Sequence, residues 1–389
     1  TARAYSITVT NPLPSGSFGA LLWTGNDSNS RAVTGLGFKP DLVWIKRRGS
    51  STESHALYDS SRGPNKQLSP DSSGAEATNS GSYLGLSSFD TDGFTLGNNG
   101  GTNRQPHTYV GWCWKANGGN TSSNSNGSIT STVQSNDTIG FSIVKYTGNG
   151  TSGATIGHNL GAVPHMFIVK RIGGSGTWNW RVYHKDMDAA SPEDYNLPLN
   201  GNAAKYDRTE WNDTAPTSTV FSVNNHGSVN ESGQDYICYA FTGKTNFSKF
   251  GKYIGNGSDY GPIVETGFEP AFLMIRRSDG TGNWLMYDNK RSTTNTRNKL
   301  LFANDSAVEQ TLAYVDFLSN GFQIAAAGGT GDTNINVNDS TYIYMAFAQD
   351  ADTTAPTLAN SFASVEYTGN GATGRSFTGM TSPNFIWNK

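Results

Sequence analysis

The sequence predicts an all-β protein built from tandem antiparallel β-sandwich domains with a jelly-roll-like order of strands. Three observations lead to this expectation: a turn-rich yet aromatic composition, short apolar segments of strand length, and a long internal repeat. Of the 389 residues, 46 are glycine and 12% are aromatic, a combination that disordered low-complexity chains lack. The apolar segments alternate with Gly, Asn, Asp and Ser turns about every ten to fifteen residues, and helical periodicity never exceeds a turn or two.

Charge and hydropathy exclude several classes of partner. With 28 Lys and Arg against 31 Asp and Glu, the net charge of −3 gives no electrostatic reason to bind nucleic acid or an anionic membrane. The longest apolar run, 271–275, has strand length and is far below the ~20 residues that cross a bilayer, so we expect no membrane insertion. Cys113 and Cys238 show no metal-ligand or redox spacing, which predicts buried free thiols.

An aromatic-x-Gly-Asn motif recurs along the chain at intervals of 107 to 123 residues. Each copy is followed by a proline with a basic residue six positions later and mostly apolar residues between them. The motifs begin at Trp23, Tyr146, Tyr253 and Tyr367, and the proline-to-basic pairs are Pro40 with Lys46, Pro164 with Lys170, Pro270 with Arg276, and Pro383 with Lys389. Four matched copies predict repeated structural units.

Further features recur in the same order within the three complete copies. Each has a tyrosine that closes a short strand and, at its end, an aromatic apolar strand, while the first and third carry a Phe-rich hairpin with Asp-Gly or Asn-Gly at its turn. The tyrosines are Tyr58, Tyr183 and Tyr287, the hairpin turns contain Gly93 and Gly321, and the final strands begin at Tyr109, Tyr236 and Tyr342.

These features divide the chain into three β-sandwich repeats at 18–118, 138–248 and 249–350. Residues 1–17 form an N-terminal segment, and the Gly/Asn/Ser/Thr-rich stretch 119–137 is predicted to be a linker. A second linker, 351–361, leads to the start of an incomplete fourth repeat at 362–389. The chain begins at Thr1 without a signal-like apolar segment, so we expect a processed or partial sequence.

Most recurrent residues are explained by folding. The runs Gly148-Asn149-Gly150 and Gly255-Asn256-Gly257 suit turns that need a positive φ. Each recurrent proline precedes a strand, where a missing N–H costs least. The basic residue after each proline shares a strand face with apolar residues, which favours a repeated salt bridge or rim position over a ligand site.

The sequence carries no recognisable catalytic or metal-binding motif. No Gly-x-Ser-x-Gly elbow occurs, and His158 with His165 lacks a third zinc ligand. The run 90–93 could hold calcium, but the third repeat has Leu-Ser-Asn-Gly in the matching place, so the shared feature is the turn. A glycosidase needs only two carboxylates, yet no pair stands out, so we expect no enzyme and no cofactor.

Aromatic residues that do not recur are the best candidates for binding. Trp178 and Trp211 have no counterparts in the other repeats, and both lie in polar, loop-like sequence. An exposed indole among polar groups can stack on a sugar ring while its neighbours bind the hydroxyls. We therefore assign a ligand-binding role to Trp178 and Trp211 with Asp207 and Glu210; the alternative is that each tryptophan anchors a long loop.

Three motifs follow one another in the chain: Tyr-x-Gly-Asn-Gly, then Gly-Phe-x-Pro with an apolar strand ending in two basic residues, then Tyr-Ile-x-Tyr-x-Ala-Phe. This order resembles that of tandem domains in tail-fibre and other virion structural proteins of tailed phages, notably of marine bacteria. Residues 267–277 and 342–348 carry the likeness best, and it covers nearly the whole chain from about residue 18. The resemblance implies a virion or extracellular location, contact with other virion proteins and host surface polysaccharide, and homo-oligomers such as the trimers of fibres. Repetition would then lengthen a fibre without enlarging any single core.

Two hypotheses follow from different classes of protein. As a binding module, the chain contacts host glycans through loops of its sandwiches. As a structural part, it is a spacer or a capsid or tail decoration whose loops only pack against neighbours. A secreted glycan-active enzyme is the third alternative.

Overall fold

A computed structural model describes residues 16–49, 51–81, 84–174, 176–325 and 335–348. The predicted N-terminal segment lies almost wholly outside these residues, and so do the second linker, 351–361, and the start of a fourth repeat, 362–389.

Repeat 1 is a sandwich of two antiparallel sheets and a small hairpin. The first sheet has the order β1-β9-β3-β4 and the second the order β2-β8-β7, while β5 pairs with β6. The chain passes from one sheet to the other between β1 and β2, between β2 and β3, and between β8 and β9, whereas β3 with β4 and β7 with β8 are neighbours in the same sheet. The strands are β1 (Phe18–Thr24), β2 (Arg31–Thr34), β3 (Leu42–Arg47), β4 (Ala56–Asp59), β5 (Lys66–Gln67), β6 (Ala77–Thr78), β7 (Leu86–Asp90), β8 (Gly93–Leu96) and β9 (Thr108–Trp114), with helix α1 (Gly100–Asn103) before β9.

Repeat 2 has the order β10-β11-β12-β19-β14-β15-β16-β17 in its large sheet, and β13 pairs with β18. Its strands are β10 (Ser122–Asn124), β11 (Ser131–Asn136), β12 (Phe141–Thr147), β13 (Ala154–Gly157), β14 (Met166–Arg171), β15 (Arg181–His184), β16 (Tyr195–Pro198), β17 (Tyr206–Asp207), β18 (Val220–Val223) and β19 (Asp235–Phe241). The predicted linker 119–137 is therefore corrected: it contains β10 and β11, because its Ser and Thr residues pair with β12 while Val133 is buried.

Repeat 3 forms one sheet that folds over itself in the order β20-β27-β22-β23-β24-β25-β26-β21. Its strands are β20 (Ser248–Ile254), β21 (Ile263–Glu265), β22 (Pro270–Arg277), β23 (Leu285–Asp288), β24 (Arg297–Phe302), β25 (Gln310–Leu318), β26 (Gly321–Ile324) and β27 (Thr341–Ala348). The prediction of an all-β, antiparallel sandwich fold is confirmed. No helix in the described ranges has the length and apolar character to cross a membrane.

The recurrent glycine and asparagine close each sandwich at one end. A Cβ on Gly148 would lie 2.4 Å from the carbonyl oxygen of Glu231, so only glycine fits there. The backbone N–H of Asn149 donates to Oδ1 of Asn230 at 2.9 Å. The same pairs recur as Gly25 with Arg104 and Asn26 with Asn103 in repeat 1, and as Gly255 with Val337 and Asn256 with Asn336 in repeat 3. The predicted positive φ is present at Gly150 and Gly257.

The three repeats share a central core. In every repeat, one face of the sheet that contains the last strand packs into this core, while the opposite face covers a smaller core belonging to that repeat alone. The last strand of each repeat contributes equivalent layers, namely Val110, Ile237 and Ile343; Trp112, Tyr239 and Met345; and Trp114, Phe241 and Phe347. The Phe347 ring centroid lies 6.0 Å from that of Phe241 and 5.7 Å from that of Trp114, so all three repeats meet here.

Buried basic side chains join each repeat to the next. They follow the recurrent prolines. They form neither the predicted salt bridges nor rim positions, since all three are fully buried, and they donate to backbone carbonyls of a neighbouring repeat. Lys46 donates to Ser306 of repeat 3 at 3.1 Å, Lys170 to Ser73 of repeat 1 at 2.9 Å, and Arg276 to Ala203 of repeat 2. Because the contacts run from repeat 1 to 3, from 3 to 2 and from 2 to 1, the repeats close a ring.

A second set of contacts closes the same ring. It is made by equivalent aromatic rings at the start of β4, β15 and β23, each of which reaches a backbone carbonyl of a neighbouring repeat. His55 Nε2 lies 2.9 Å from the oxygen of Phe302, Trp180 Nε1 donates to Ser69 at 3.1 Å, and Trp284 Nε1 donates to Pro198 at 2.9 Å.

Ion pairs reinforce two of the three junctions. Asp59 accepts a hydrogen bond from the Tyr239 hydroxyl of repeat 2 at 2.7 Å and pairs with Arg62 at 2.5 Å, all buried. The same arrangement is formed at the next junction by Asp288, Arg291 and Trp112. A common core tied by buried polar contacts makes the repeats interdependent, unlike units that only lengthen a fibre.

Candidate functional site

The four residues predicted to bind a ligand all lie in repeat 2, but they differ in exposure. Trp178 is half-buried in the loop between β14 and β15, and Asp207 is exposed on β17. Glu210 and Trp211 belong to a 3₁₀ turn, and each is only 1% exposed. Of the four, only Trp178 and Asp207 therefore have side chains that a ligand can reach, and their binding role stays a prediction.

Trp211 is a core residue, which corrects its assignment as a sugar platform. Its ring meets Phe167 edge-on with centroids 4.7 Å apart, and its indole N–H donates to the Tyr195 carbonyl at 3.0 Å. The 3₁₀ turn directs the indole inward, and Asn212 ends that turn with a φ of 55°. Asn212 and Asp213 stay near the surface while the ring is buried, so Trp211 anchors its loop.

Glu210 is also corrected, because its carboxylate is committed to buried partners. Oε2 accepts a hydrogen bond from Nδ2 of Asn196 at 2.8 Å, and Oε1 lies 3.3 Å from Nη2 of Arg181. Arg181 is itself 5% exposed and also donates to Ser228 and to the Tyr206 hydroxyl. Glu210 thus holds a buried guanidinium and does not face a ligand.

The Arg181–Glu210 ion pair is peculiar to repeat 2. Arg181 follows Trp180 at the start of β15, and the equivalent residues are Ala56 in repeat 1 and Leu285 in repeat 3. A buried ion pair gives little net stability compared with apolar residues of similar volume. The sequence contained a signal for it, since Arg181 interrupts an apolar pattern that the other two repeats maintain.

His226 connects this ion pair to the surface near Trp178. Its Nδ1 lies 3.8 Å from Oε1 of Glu210, and its ring meets the Trp178 ring edge-on with centroids 5.8 Å apart. Burial lowers the pKa of His226, Glu210 raises it, and Arg181 and Arg208 lower it further, with a net shift downward. The imidazole is therefore neutral at pH 7 and can both donate and accept a hydrogen bond.

Trp178 is held in a fixed orientation. Its backbone N–H donates to the Ser73 carbonyl at 2.9 Å, and its backbone carbonyl accepts a hydrogen bond from Lys170 Nζ at 2.6 Å. The Arg171 guanidinium lies over the indole at 5.1 Å from the centroid. A Cβ on Gly227 would lie 2.4 Å from the ring, so the ring packs directly on this glycine.

We name the group Arg171, Trp178, Arg181, Tyr206, Arg208, Glu210 and His226 the repeat 2 cluster. The Arg208 guanidinium lies over the Tyr206 ring at 5.1 Å and is exposed. The cluster combines fixed aromatic faces with cationic and neutral hydrogen-bonding groups. This arrangement suits the binding of a polyhydroxylated ligand, and its one buried carboxylate is neutralised by Arg181.

The alternative metal sites are used for structure. Asp92 accepts from the N–H groups of Gly35 and Gly37, and Asp90 pairs with Gly93 across the predicted hairpin, which is confirmed. His158 Nδ1 accepts from the Leu160 N–H, and His165 Nδ1 accepts from the Gly243 N–H. Among the described residues, no group of three or more His, Cys, Asp or Glu could hold a metal ion. The predicted free thiols Cys113 and Cys238 are buried.

One exposed aromatic residue was missed from the sequence. Tyr260, in the loop between β20 and β21 of repeat 3, is 84% exposed, the most exposed aromatic side chain among the described residues. Its position in a Gly-Asn-Gly-Ser-Asp-Tyr-Gly run, without a counterpart in the other repeats, was a signal for exposure.

No curated protein matches the sequence. A single family model spans residues 13–351 and so treats the three repeats as one unit, in agreement with their shared core. The chain belongs to the family described as Domain of unknown function (DUF7483).

Proposed function

We propose that the protein is a structural component of a tailed-phage virion, in a tail fibre or associated with the tail, and that it contacts host surface glycans through repeat 2. The virion role rests on the resemblance of the recurrent sequence motifs to those of tail-fibre proteins. The glycan contact is supported by the geometry of the repeat 2 cluster.

The observation that carries the glycan contact is the fixed, half-exposed indole of Trp178 beside His226. Binding a flexible saccharide loses conformational entropy, so a site whose side chains are already ordered binds more tightly. Ser73 and Lys170 hold the Trp178 backbone, and the Arg171 guanidinium lies over the indole itself. At the position of Trp178, two residues before Trp180, the other repeats have Glu53 and Gly282, so a single site per chain is expected.

The test measures binding of the purified full chain to envelope polysaccharide from candidate host bacteria, by depletion from solution. Trp178→Ala should weaken binding by tenfold or more, because it removes the stacking surface. Trp178→Phe keeps an aromatic ring and should retain part of the affinity. Tyr260→Ala is the matched control, since it removes an exposed aromatic residue from repeat 3.

Circular dichroism verifies that each variant is folded. Unchanged binding by folded Trp178→Ala would contradict the glycan site in repeat 2. Sugar reducing ends are measured in the same tubes, and their release by the wild-type chain would favour the third alternative, a glycan-active enzyme.

A purely structural spacer or decoration protein is the second candidate, favoured by the ring of buried contacts between repeats. Such contacts make one rigid block, as a spacer requires. In that case Trp178→Ala leaves host contact unchanged, whereas variants that open the ring, such as Trp284→Ala, reduce incorporation into particles.

A further inference from the structure

Repeat 3 has an open seam between the two end strands of its sheet. β20 and β21 are the terminal strands in the order, and within the described ranges neither has a strand partner on its outer side. One side-chain contact crosses the seam: Lys249 Nζ donates to the Glu265 carbonyl of β21 at 2.8 Å. Apolar side chains are exposed on both strands and on the loop that joins them: Ile254 is 47% exposed, Tyr260 84% and Ile263 64%. Exposed aliphatic residues beside free strand edges are typical of a protein interface.

Repeat 2 covers its equivalent seam with its own chain. β11 pairs with the outer edge of β12 through five residue pairs, from Thr132 with Lys145 to Asn136 with Phe141. Ile129, which lies just before β11, forms a parallel bridge to β13, and its N–H donates to the Thr155 carbonyl at 3.0 Å.

This covering segment inserts two apolar anchors. Ile129 and Val133, four residues apart, are 6% and 2% exposed and belong to the core of repeat 2. The segment is therefore held by strand pairing and by two buried side chains.

The two seams correspond residue by residue. Tyr146 aligns with Tyr253, so Lys145 aligns with Lys252. Phe221 and Phe322 occupy matching places opposite β13 and β21, so Thr155 aligns with Ile263. The residue that contacts the covering segment in repeat 2 is thus replaced in repeat 3 by an exposed isoleucine.

Repeat 3 has no room for a covering segment of its own before β20. Only residues 242–247 separate β19 from β20, and they form a tight turn closed by a bridge between Lys244 and Ser248. Six residues cannot supply both a connection and a strand like β11.

We propose that the seam of repeat 3 binds an extended segment of a different protein, which adds as an antiparallel strand to β20. Its defining chemistry is two β-branched apolar residues four positions apart, as Ile129 and Val133 are. This is strand addition to a sheet edge, in which main-chain hydrogen bonds supply affinity and alternate side chains supply specificity. The inference does not depend on the glycan site.

Lysine on β20 does not oppose this interpretation. Lysines often protect free sheet edges, and Lys249 and Lys252 are exposed on β20. However, Lys145 occupies the position of Lys252 in repeat 2, and there the edge is paired. A lysine at this position is therefore compatible with an added strand.

The free backbone groups of β20 can be assigned from its inner pairing. The Gly255 N–H donates to the Ser340 carbonyl on the β27 side at 2.8 Å. Because hydrogen-bonding directions alternate along a strand, the N–H groups of Phe250, Lys252 and Ile254 point outward.

The first measurement is hydrogen exchange by NMR in the free full chain. The outward amides of Phe250, Lys252 and Ile254 should exchange quickly, whereas that of Lys145, which β11 covers, should be protected at least 100-fold more. Protection of the three outward amides in the monomer would overturn the proposal, because residues 349–389 or another part of the same chain would then occupy the edge.

The second measurement uses a fluorescent peptide with the sequence of residues 128–136, the segment that covers repeat 2. It should bind one site per full chain and protect the three outward amides. Lys252→Pro should abolish binding, because proline lacks the outward N–H and is tolerated on edge strands. Lys252→Ala, the matched control, should bind normally, and replacing both apolar anchors of the peptide by serine should weaken binding at least tenfold.

If Lys252→Pro fails to fold, Ile263→Lys tests the proposal instead. It replaces an exposed apolar side chain of the seam with a charged one and should weaken peptide binding at least fivefold. Absence of saturable binding, or binding that Lys252→Pro leaves unchanged, would overturn the proposal. A wild-type dimer that Lys252→Pro dissociates would identify a second copy of the chain as the occupant and would also overturn it.

Discussion

Trp180→Phe should destabilise all three repeats together, although Trp180 belongs to repeat 2. The buried indole N–H donates to the carbonyls of Ser69 and Ser72 in repeat 1, both at 3.1 Å. Phenylalanine leaves these carbonyls without that donor, which lowers the free energy of unfolding by about 1 to 2 kcal/mol. The smaller ring leaves a void in the core that costs about 1 kcal/mol more. The expected decrease in the free energy of unfolding is therefore about 2 to 3 kcal/mol.

The assay is urea unfolding combined with native-state hydrogen exchange. The slowest amides of β27, in repeat 3, should exchange about 30- to 150-fold faster in the variant, because they exchange only when the common core opens. Tyr260→Ala should leave them unchanged. Faster exchange confined to repeats 1 and 2 would refute the reasoning, since it would show that repeat 3 retains its structure independently.

Three further variants test individual contacts. Burial lowers the pKa of Lys170 from 10.5 to about 7, so between these pH values the unfolded chain binds more protons than the folded one and stability should rise with pH. From pH 7 to 8 the free energy of unfolding of the wild type should increase by about 1 kcal/mol. Urea titrations at the two pH values should show no such increase for Lys170→Met. Arg181→Leu should cost about 3 to 5 kcal/mol in urea unfolding because it leaves Glu210 buried and unpaired, and adding Glu210→Met should recover most of that loss; no recovery would contradict a paired role. Gly227→Ala should displace Trp178, since a Cβ there comes within 2.4 Å of its ring, and should alter tryptophan fluorescence and weaken glycan binding; unchanged fluorescence would contradict the contact.

The fold class could be predicted because it depends on local patterns. Turn glycines such as Gly93 and Gly321 appear in hairpins as expected, and the recurrent Gly-Asn pairs close the sandwiches. These features act over a few residues, so their consequences can be derived from the sequence.

The common core could not be derived from those local patterns, yet the sequence contained a signal for it. Every residue of β3 and β14 is buried, which requires cover on both faces of the sheet. A single two-layer sandwich covers only one face, so the second must pack elsewhere. Which surface covers it is a tertiary property, set by contacts such as Lys46 with Ser306, which are 260 residues apart.

The candidate site was predicted only in part for a related reason. Trp178 and Trp211 both have polar sequence neighbours, but Trp211 packs on Phe167, about forty residues earlier in the chain. Composition likewise predicted a linker at 119–137, whereas free backbone groups on β12 pair with that segment. In both places, long-range packing determines the outcome and local polarity does not.

Small-angle X-ray scattering of the full chain tests most directly the central claim that the repeats form one compact ring. A compact chain of 389 residues has a radius of gyration of about 21 Å, whereas three domains of about 110 residues in a row would give about 30 Å. The ring predicts a value below about 25 Å and one compact maximum in the pair-distance distribution. A value near 30 Å with an elongated distribution would contradict it.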